Sequence, residues 1–506
     1  KIMNNNLIKS KQRILEHGEV FTSEREVNSM LDLVKQETKR IESRFLEPAC
    51  GDGNFLSEIL NRKLKIVKRR YGESQKELDK YSLVAITSLY GIELLEDNVK
   101  RCKERLYKIY LDWYKSFSQV QQNIKLFNCV KFVLSKNVIH GDALTLKVVG
   151  NDGEPIMFSI WSFTQNMVRR RCFPFDELFK IKFDVIIGNP PYQLDTAGHG
   201  RQAKPIYNKF IEKSKKLKPK YIVMITPSRW FSGGMGLEEF RRNMLEDKRL
   251  HTIVDFTNSK DCFPGVSISG GVNYFLWDSS YEGKCTFVNN HNSKTDSMRR
   301  YLNETPILIR YNKALGIINK IKKINDNFIS DSVKPINVFG LGSAFRGKGK
   351  INESTLIVRH SKGIGYLKKE DIKTGIDLIY KYKVAVSRTI AEHAGEPGKD
   401  GNFKVLAKTM ILKPNQVCTH SYLVVELFDN EAEAKHLRKY LHTKFVRFLI
   451  LIAISGIDLS KERFRFVPTQ KFKDSMSDEI LYNKYKLNAE EIKFIETMIR
   501  PMELGN

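Results

Sequence analysis

Two hydrophobic periods alternate along the N-terminal half of the chain. Short apolar runs bounded by turn residues predict strands at Arg44 to Glu47, Leu89 to Glu93, Val138 to His140 and Asp184 to Ile187. Further strands are predicted at Tyr221 to Ile225, Ile253 to Phe256 and Val272 to Trp277. Helical spacing fills the gaps. Val27, Met30, Leu31 and Val34 follow Ser23, and Glu26 three positions after that serine predicts a capping box. Phe55, Leu56, Ile59, Leu60, Leu64 and Val67 predict a second helix, and Asp97 to Tyr114 a third. Strands alternating with helices predict an α/β fold: a doubly wound, mostly parallel, Rossmann-like sheet covered on both faces. Ligands in such sheets bind beyond the carboxyl ends of the strands.

After about residue 290 the pattern changes. Ile307 to Ile324 reads as a basic helix, and Gly340 to Lys350 as a glycine- and lysine-rich stretch. Short β-like runs follow at Lys383 to Val386, Val405 to Leu412 and Tyr422 to Leu427. Helical patterning returns over Asn430 to Ile454, and Asn488 with Glu491 predicts a capped final helix. A boundary near 285–305 divides the chain into a domain over 1–290 and a mixed α+β domain with a helical tail over 291–506.

Composition narrows the class. Of 506 residues 41% are hydrophobic, which excludes a mainly disordered chain. The longest strongly apolar stretch, Phe448 to Ile454, is far below the roughly 20 residues of a membrane span. Seven scattered cysteines have no metal-ligand spacing, and their odd number argues against a disulfide framework. A reduced intracellular compartment, the bacterial cytoplasm, is the expected setting. Lys and Arg number 85 against 58 Asp and Glu, a net charge of +27. That excess suits a polyanion, nucleic acid before an acidic membrane. A compositional bias would produce it as well, so the motifs must decide.

Pro48-Ala49-Cys50-Gly51-Asp52-Gly53-Asn54 joins the first predicted strand to a helix. Its glycines admit positive φ and close approach of a ligand to the backbone. Glu93, ending the next strand, can accept hydrogen bonds from both hydroxyls of a ribose. Its distance from the glycine turn requires a helical insertion around 65–82. Asp142, ending the third strand, can accept from an adenine amino group. Asn189-Pro190-Pro191-Tyr192 then follows an apolar strand directly. Two prolines fix φ twice and remove two backbone donors. The Pro190 carbonyl and the Asn189 side-chain oxygen are two acceptors that can grip both hydrogens of an exocyclic amine. Tyr192 offers a face for stacking, as a receptor for a base turned out of a helix requires.

This ordered set, Glu47 to Phe55, Glu93, Asp142 and Asn189 to Tyr192, resembles the S-adenosylmethionine-dependent DNA adenine-N6 methyltransferases. The motif order resembles the gamma class found as the modification part of restriction–modification systems. The resemblance covers residues 15 to 280. It implies that Phe21, Thr22, Glu47, Pro48, Ala49, Gly51, Gly53, Asn54, Phe55, Ile92, Glu93, Asp142 and Ala143 hold S-adenosylmethionine. Phe21 and Thr22 end the Gly18 to Thr22 segment, which resembles the family's N-terminal cofactor motif. Asn189, Pro190 and Tyr192 are then the catalytic residues. The target amine attacks the methyl group in line, with no metal and no covalent enzyme intermediate. Cys50, inside the cofactor turn, is expected to be a packed residue rather than a nucleophile.

The implied partner is double-stranded DNA, with a separate restriction endonuclease or specificity subunit as a further possible partner and no membrane. Tyr207, in Pro205-Ile206-Tyr207 with Phe210, matches base-pocket positions. Arg346, Lys348 and Lys350, and Arg388 with the loop Glu392 to Lys399, are candidate DNA contacts. Arg169-Arg170-Arg171 in the long link Leu144 to Lys182, and the lysines at 213, 215, 216, 218 and 220, are further phosphate candidates. His393, His420 and Cys418 fit no common metal site. Rival readings are a bifunctional restriction–modification enzyme, suggested by Asp429 with Glu433 and Lys435, an RNA or protein amide methyltransferase, and a non-catalytic DNA-binding module.

Overall fold

The computed structural model describes residues 22–116, 123–150, 153–164, 167–174, 182–194, 204–234, 236–264, 266, 268–347, 355–392, 397–398, 401–454 and 458–502. Its N-terminal strands are β1 (Phe45–Glu47), β2 (Leu89–Glu93), β3 (Val138–Asp142), β4 (Lys147–Val148), β5 (Met157–Phe163), β6 (Val168–Pro174) and β7 (Val185–Gly188). They continue with β8 (Gln193–Leu194), β9 (Lys204–Pro205), β10 (Tyr221–Pro227), β11 (Leu250–Phe256), β12 (Val272–Asp278), β13 (Cys285–His291) and β14 (Lys294–Arg300). Ten of these strands form one sheet, in the order β14-β13-β11-β12-β10-β7-β1-β2-β3-β4. The strands β10-β7-β1-β2-β3 are parallel, and β12 runs antiparallel to both β10 and β11. The fold is α/β and Rossmann-like, with an antiparallel element on one side of its parallel centre.

Burial on two faces explains the apolar runs. Val185 and Ile187 enter one core with the helices Asn54–Tyr71, Glu96–Lys115 and Ile124–Asn137. Ile186 enters the opposite core with the helices Tyr207–Lys216 and Glu238–Glu246. The insertion expected around 65–82 is the end of Asn54–Tyr71 followed by a separate helix, Gln75–Thr87. The long link after β3 contains the β5–β6 hairpin, with Arg169, Arg170 and Arg171 on the exposed strand.

The large sheet continues through β13 and β14 to Arg300, within the expected boundary zone of 285–305. Three expectations need correction. At the first helix, Glu24–Asp32, the Ser23 hydroxyl donates to the Glu26 carboxylate instead of capping the backbone, so no capping box forms. The helix expected from Ile307 begins only at Asn312. Ile307 and Ile309 face the C-terminal core while Leu308 faces the catalytic core, so the apolar run is a connector between two cores. The strand expected from Val405 begins at Thr409, because Val405 has a positive φ of 72° and its amide is capped by Glu392.

Beyond the connector, Leu356–His360, Gly363–Leu367 and Gln416–Cys418 form one small sheet. Tyr382–Ser387, Thr409–Leu412 and Tyr422–Phe428 form another. The helical stretch after Asn430 breaks at Thr443 into Glu431–His442 and Lys444–Leu451, where the Thr443 hydroxyl caps the second helix through the Val446 amide. The final helix, Ala489–Met498, carries the expected capping box between Asn488 and Glu491. Among the described residues no helix is long and apolar enough to cross a membrane.

Candidate active site

The carboxyl ends of β1, β2, β3 and β7 surround one pocket. It is lined by the turn after β1, by Glu93 to Leu95, by Gly141 to Leu144 and by Asn189 with Pro191. Thr22, Ile206 and Phe210 complete its wall. The motifs recognised in separate parts of the sequence therefore share one cavity.

The turn after β1 is closed by short local bonds. The Gly53 amide donates to the Cys50 carbonyl at 2.8 Å, and the Cys50 amide donates to the Ile92 carbonyl at 2.9 Å. Gly53 has φ of 90°, and an added Cβ there would lie 2.7 Å from the Cys102 sulfur. Both the conformation and the space demand glycine. Cys50 is buried and its thiol is pushed well above its ordinary pKa by its hydrogen bond with Cys102 and by desolvation. A protonated, enclosed thiol is a packing group, as expected from its place in the turn.

Glu93 holds the turn against β2. One carboxylate oxygen accepts from the Gly51 amide at 2.8 Å, and the other from the Leu95 amide at 3.0 Å. Asp142 is engaged by its own loop, accepting from the Leu144 amide at 2.7 Å and the Thr145 hydroxyl at 2.9 Å. Both acids line the pocket, and the Glu93 oxygen bonded to the Leu95 amide also accepts from the Asn98 side chain at 3.4 Å. Asn54 donates to the Thr22 carbonyl at 3.1 Å, tying the N-terminal segment to the cofactor turn.

Glu47 is the least satisfied group. It is almost fully buried, and its Oε2 has no hydrogen-bond partner among the described residues. Its carboxyl is held well above the usual range, first by desolvation, then by Cys102 and by the charges of Glu93 and Asp52. A buried, orphaned carboxylate on a pocket wall suits a cationic ligand. The α-amino and sulfonium groups of S-adenosylmethionine are such cations, so the residues present fit that cofactor.

Asn189 and Pro191 line the pocket at the end of β7, whereas the buried Pro190 and Tyr192 do not line it. The Tyr192 hydroxyl is buried and its pKa raised well above the usual value by desolvation and Cys262, opposed by a hydrogen bond with Asn189. The Tyr192 carbonyl accepts from the Ile206 amide at 3.1 Å, which holds the segment beside the start of the helix Tyr207–Lys216. Tyr207 itself is buried, packed edge-on against Phe240, and it is the neighbouring Ile206 and Phe210 that reach the pocket. Gly53 and Ile92 also lie behind the wall, Ile92 facing a small adjoining cavity with Pro48 and Ala143. Thr22, Pro48, Ala49, Gly51, Asn54, Phe55 and Ala143 line the main pocket, and Phe21 lies outside the described residues.

Leu94, Leu95, Asn98 and Leu144 were not picked out by sequence reasoning. Leu94 carried one usable signal: it is an apolar residue just past an acid-tipped strand, and it stays 44% exposed at the pocket.

The expected DNA contacts are dispersed. Arg346 donates to the carbonyls of Ser343 and Phe345 at 2.6 and 2.9 Å, within its own loop. Lys348 and Lys350 lie outside the described residues. The Arg388 guanidinium is held by the His420 ring and by Asp458. Glu392 caps the amides of Lys404 and Val405 and pairs with Arg500, so it is a structural group rather than a base reader. Two candidate lysines are consumed by ion pairs: Lys215 with Asp247 at 2.8 Å and Lys220 with Glu37 at 2.9 Å. Among the described residues no cluster of acids, histidines and cysteines could hold a metal.

Known proteins similar to this chain include restriction-modification enzymes and an adenine-specific methylase. Residues 87–263 match the model of the Eco57I restriction-modification methylase family. An uncharacterized adenine-specific methylase of Mycoplasma pneumoniae is 38% identical over 160 residues, which is 29% of this chain. The match spans 38% of the length of that relative. The type IIL restriction-modification enzyme MmeI in complex with DNA shares 9% identity at a TM-score of 0.49, covering 90% of this chain and 69% of that one. The DrdV–DNA complex shares 12% identity at a TM-score of 0.47, covering 90% and 57%. The matched segment runs from the entry to β2 to the turn after β11.

Proposed function

We propose that this chain is a DNA adenine-N6 methyltransferase, the modification activity of a restriction–modification system. The observation that carries this reading is one pocket lined by both the Gly51 turn and Asn189. S-adenosylmethionine, bound over the glycine turn, supplies the methyl group.

The residues of the chain do the rest. Glu47 receives the cationic end of the cofactor, and Glu93 its ribose hydroxyls. Leu94 and Leu95 give an apolar wall for a flat ring, and Asp142 accepts from the adenine amine. At the far side, the Asn189 side-chain oxygen and the Pro190 carbonyl accept from the N6 amine of an adenine rotated out of the duplex. As the nitrogen gains positive charge, these fixed dipoles stabilise it without reorganising. Ile206 and Phe210 shield the base, and Tyr192 holds the Asn189 segment in place. Positioning of the amine against the methyl group contributes much of the acceleration. The Mycoplasma relative is called adenine-specific, which favours adenine over cytosine as the target. The partner is double-stranded DNA in the cytoplasm, and a separate restriction endonuclease or specificity subunit is a further candidate partner.

The test is transfer of labelled methyl groups from S-adenosylmethionine to duplex DNA, with RNA and protein as parallel substrates. N6-methyladenine at a defined sequence is the expected product. Label appearing only in RNA or protein would refute the reading.

A further inference from the structure

Four arginines that no motif connects meet where the two halves of the chain join. Arg229 follows β10 in the short 3-10 turn Ser228–Phe231, and Arg241 lies on the helix Glu238–Glu246. Arg463 and Arg465 come from the far end of the chain, in and just after the 3-10 turn Lys461–Phe464. The loop Ser232–Gly233 gathers them. Arg463 donates to the Ser232 carbonyl at 3.1 Å and to the Ala453 carbonyl at 2.6 Å. Arg241 donates to the neighbouring Gly233 carbonyl. Arg229 folds over the same loop, since a Cβ on Gly233 would lie 3.0 Å from its Cγ. Arg465 is steered by its own Nε, which donates to the Glu462 carbonyl at 2.8 Å.

Two acids lie near the cluster, Glu238 beside Arg241 and Glu462 beside Arg463 and Arg465. Among the described residues none of the four forms an ion pair, although other arginines of the chain do. Of the two, Glu462 is engaged by the Ser460 hydroxyl at 2.7 Å. The Nε of Arg463 is buried with no partner. Burial lowers the Arg463 pKa to about 10, and Arg465, Arg241 and Arg229 push it the same way. Arginine guanidinium groups brought together without ion pairs form a receptor for an oxyanion, and their planar fork suits phosphate.

Position identifies the anion. β10 lies beside β7 in the sheet, with Met224 opposite Gly188, so Arg229 lies beyond the same sheet edge as Asn189. Arg229 acts electrostatically on Tyr207, the residue after the pocket-lining Ile206. We infer that Arg229, Arg241, Arg463 and Arg465 form a seat for a backbone phosphodiester of the DNA strand, next to the nucleotide presented to Asn189. This rests on the DNA reading above. The seat spans both halves of the chain, so a bound phosphate also clamps the C-terminal region against the catalytic sheet.

The test uses the full chain and binding of mixed-sequence duplex DNA as a function of salt. Arg229→Gln and Arg465→Gln are the informative variants, because Arg463 and Arg241 anchor the carbonyls of the Ser232–Gly233 loop itself. Each lost phosphate contact lowers the slope of log affinity against log salt by about 1. A shallower slope, restored by Arg229→Lys, with S-adenosylmethionine affinity equal to wild type, is the expected result. An unchanged slope in both variants with cofactor affinity retained overturns the seat while leaving the proposed function intact. A wild-type chain that neither binds nor methylates DNA overturns the proposed function and the seat with it.

Discussion

The Gly51 amide donates to the Glu93 carboxylate at 2.8 Å, across residues 42 positions apart in the chain. That bond makes the ribose acceptor and the glycine turn one unit. Glu93 therefore has two roles: it shapes the turn and it faces the pocket. Its replacement by alanine leaves the amides of Gly51 and Leu95 without acceptors, at about 1–3 kcal/mol for each group that water does not reach. Glu93→Ala should lower thermal stability and weaken S-adenosylmethionine binding together. Titration calorimetry and a melting curve measure both, and unchanged cofactor affinity would remove Glu93 from the binding site.

Asn189 is expected to separate chemistry from binding. Its acceptor matters most as charge develops on the amine, so Asn189→Ala should reduce methyl transfer by on the order of 10²–10³-fold or more. Cofactor affinity should stay within a few-fold of wild type. Single-turnover transfer and equilibrium titration together check this, and near-normal turnover would refute the catalytic assignment.

Glu47 predicts a pH dependence. Its folded pKa lies above the unfolded value because burial and neighbouring acids disfavour the carboxylate. Its contribution to the stability of the unliganded chain is therefore present below the ordinary glutamate range and lost as pH rises through the raised folded value. A cationic ligand favours the ionised form, so S-adenosylmethionine binding should release a proton and tighten as pH rises. Calorimetry in buffers of different ionisation enthalpy measures the release. Glu47→Gln should abolish it, stabilise the unliganded chain near neutral pH and weaken binding.

Asp255 and Arg310 hold the junction beneath the arginine cluster. The buried Asp255 carboxylate accepts two bonds from Arg310, at 2.7 and 2.8 Å, and further bonds from Ser228 and Asn289. Arg310→Met leaves a buried carboxylate without its counter-charge, a cost of about 3–5 kcal/mol. The double replacement Arg310→Met with Asp255→Asn should recover part of that loss. Denaturant unfolding of the two variants gives the comparison, and equal losses would mean that the pair is not coupled.

The strands of the parallel centre were legible because strands buried on both faces are continuous apolar runs. β2 starts and ends where the pattern placed it. The turns at their ends were legible because glycine, acid and Asn-Pro-Pro-Tyr each carry a backbone or acceptor requirement visible one residue at a time. Ambiguity lay where an apolar run has more than one way to be buried. Ile307 to Ile309 satisfies a helical pattern, yet alternates between two cores in the fold. Arg388 illustrates a different limit, since nothing local announces that its guanidinium lies against His420 and Asp458.

The amino-acid sequence by itself determined the α/β class and the order of the motifs, because these follow from local periodicity and from single side chains. Only the tertiary structure decided which apolar residues wall the pocket, that one Glu47 carboxyl oxygen has no partner among the described residues, and that Arg229 and Arg463 share one loop. Those are long-range contacts, set by how the cores pack rather than by any pattern a short stretch of chain can hold.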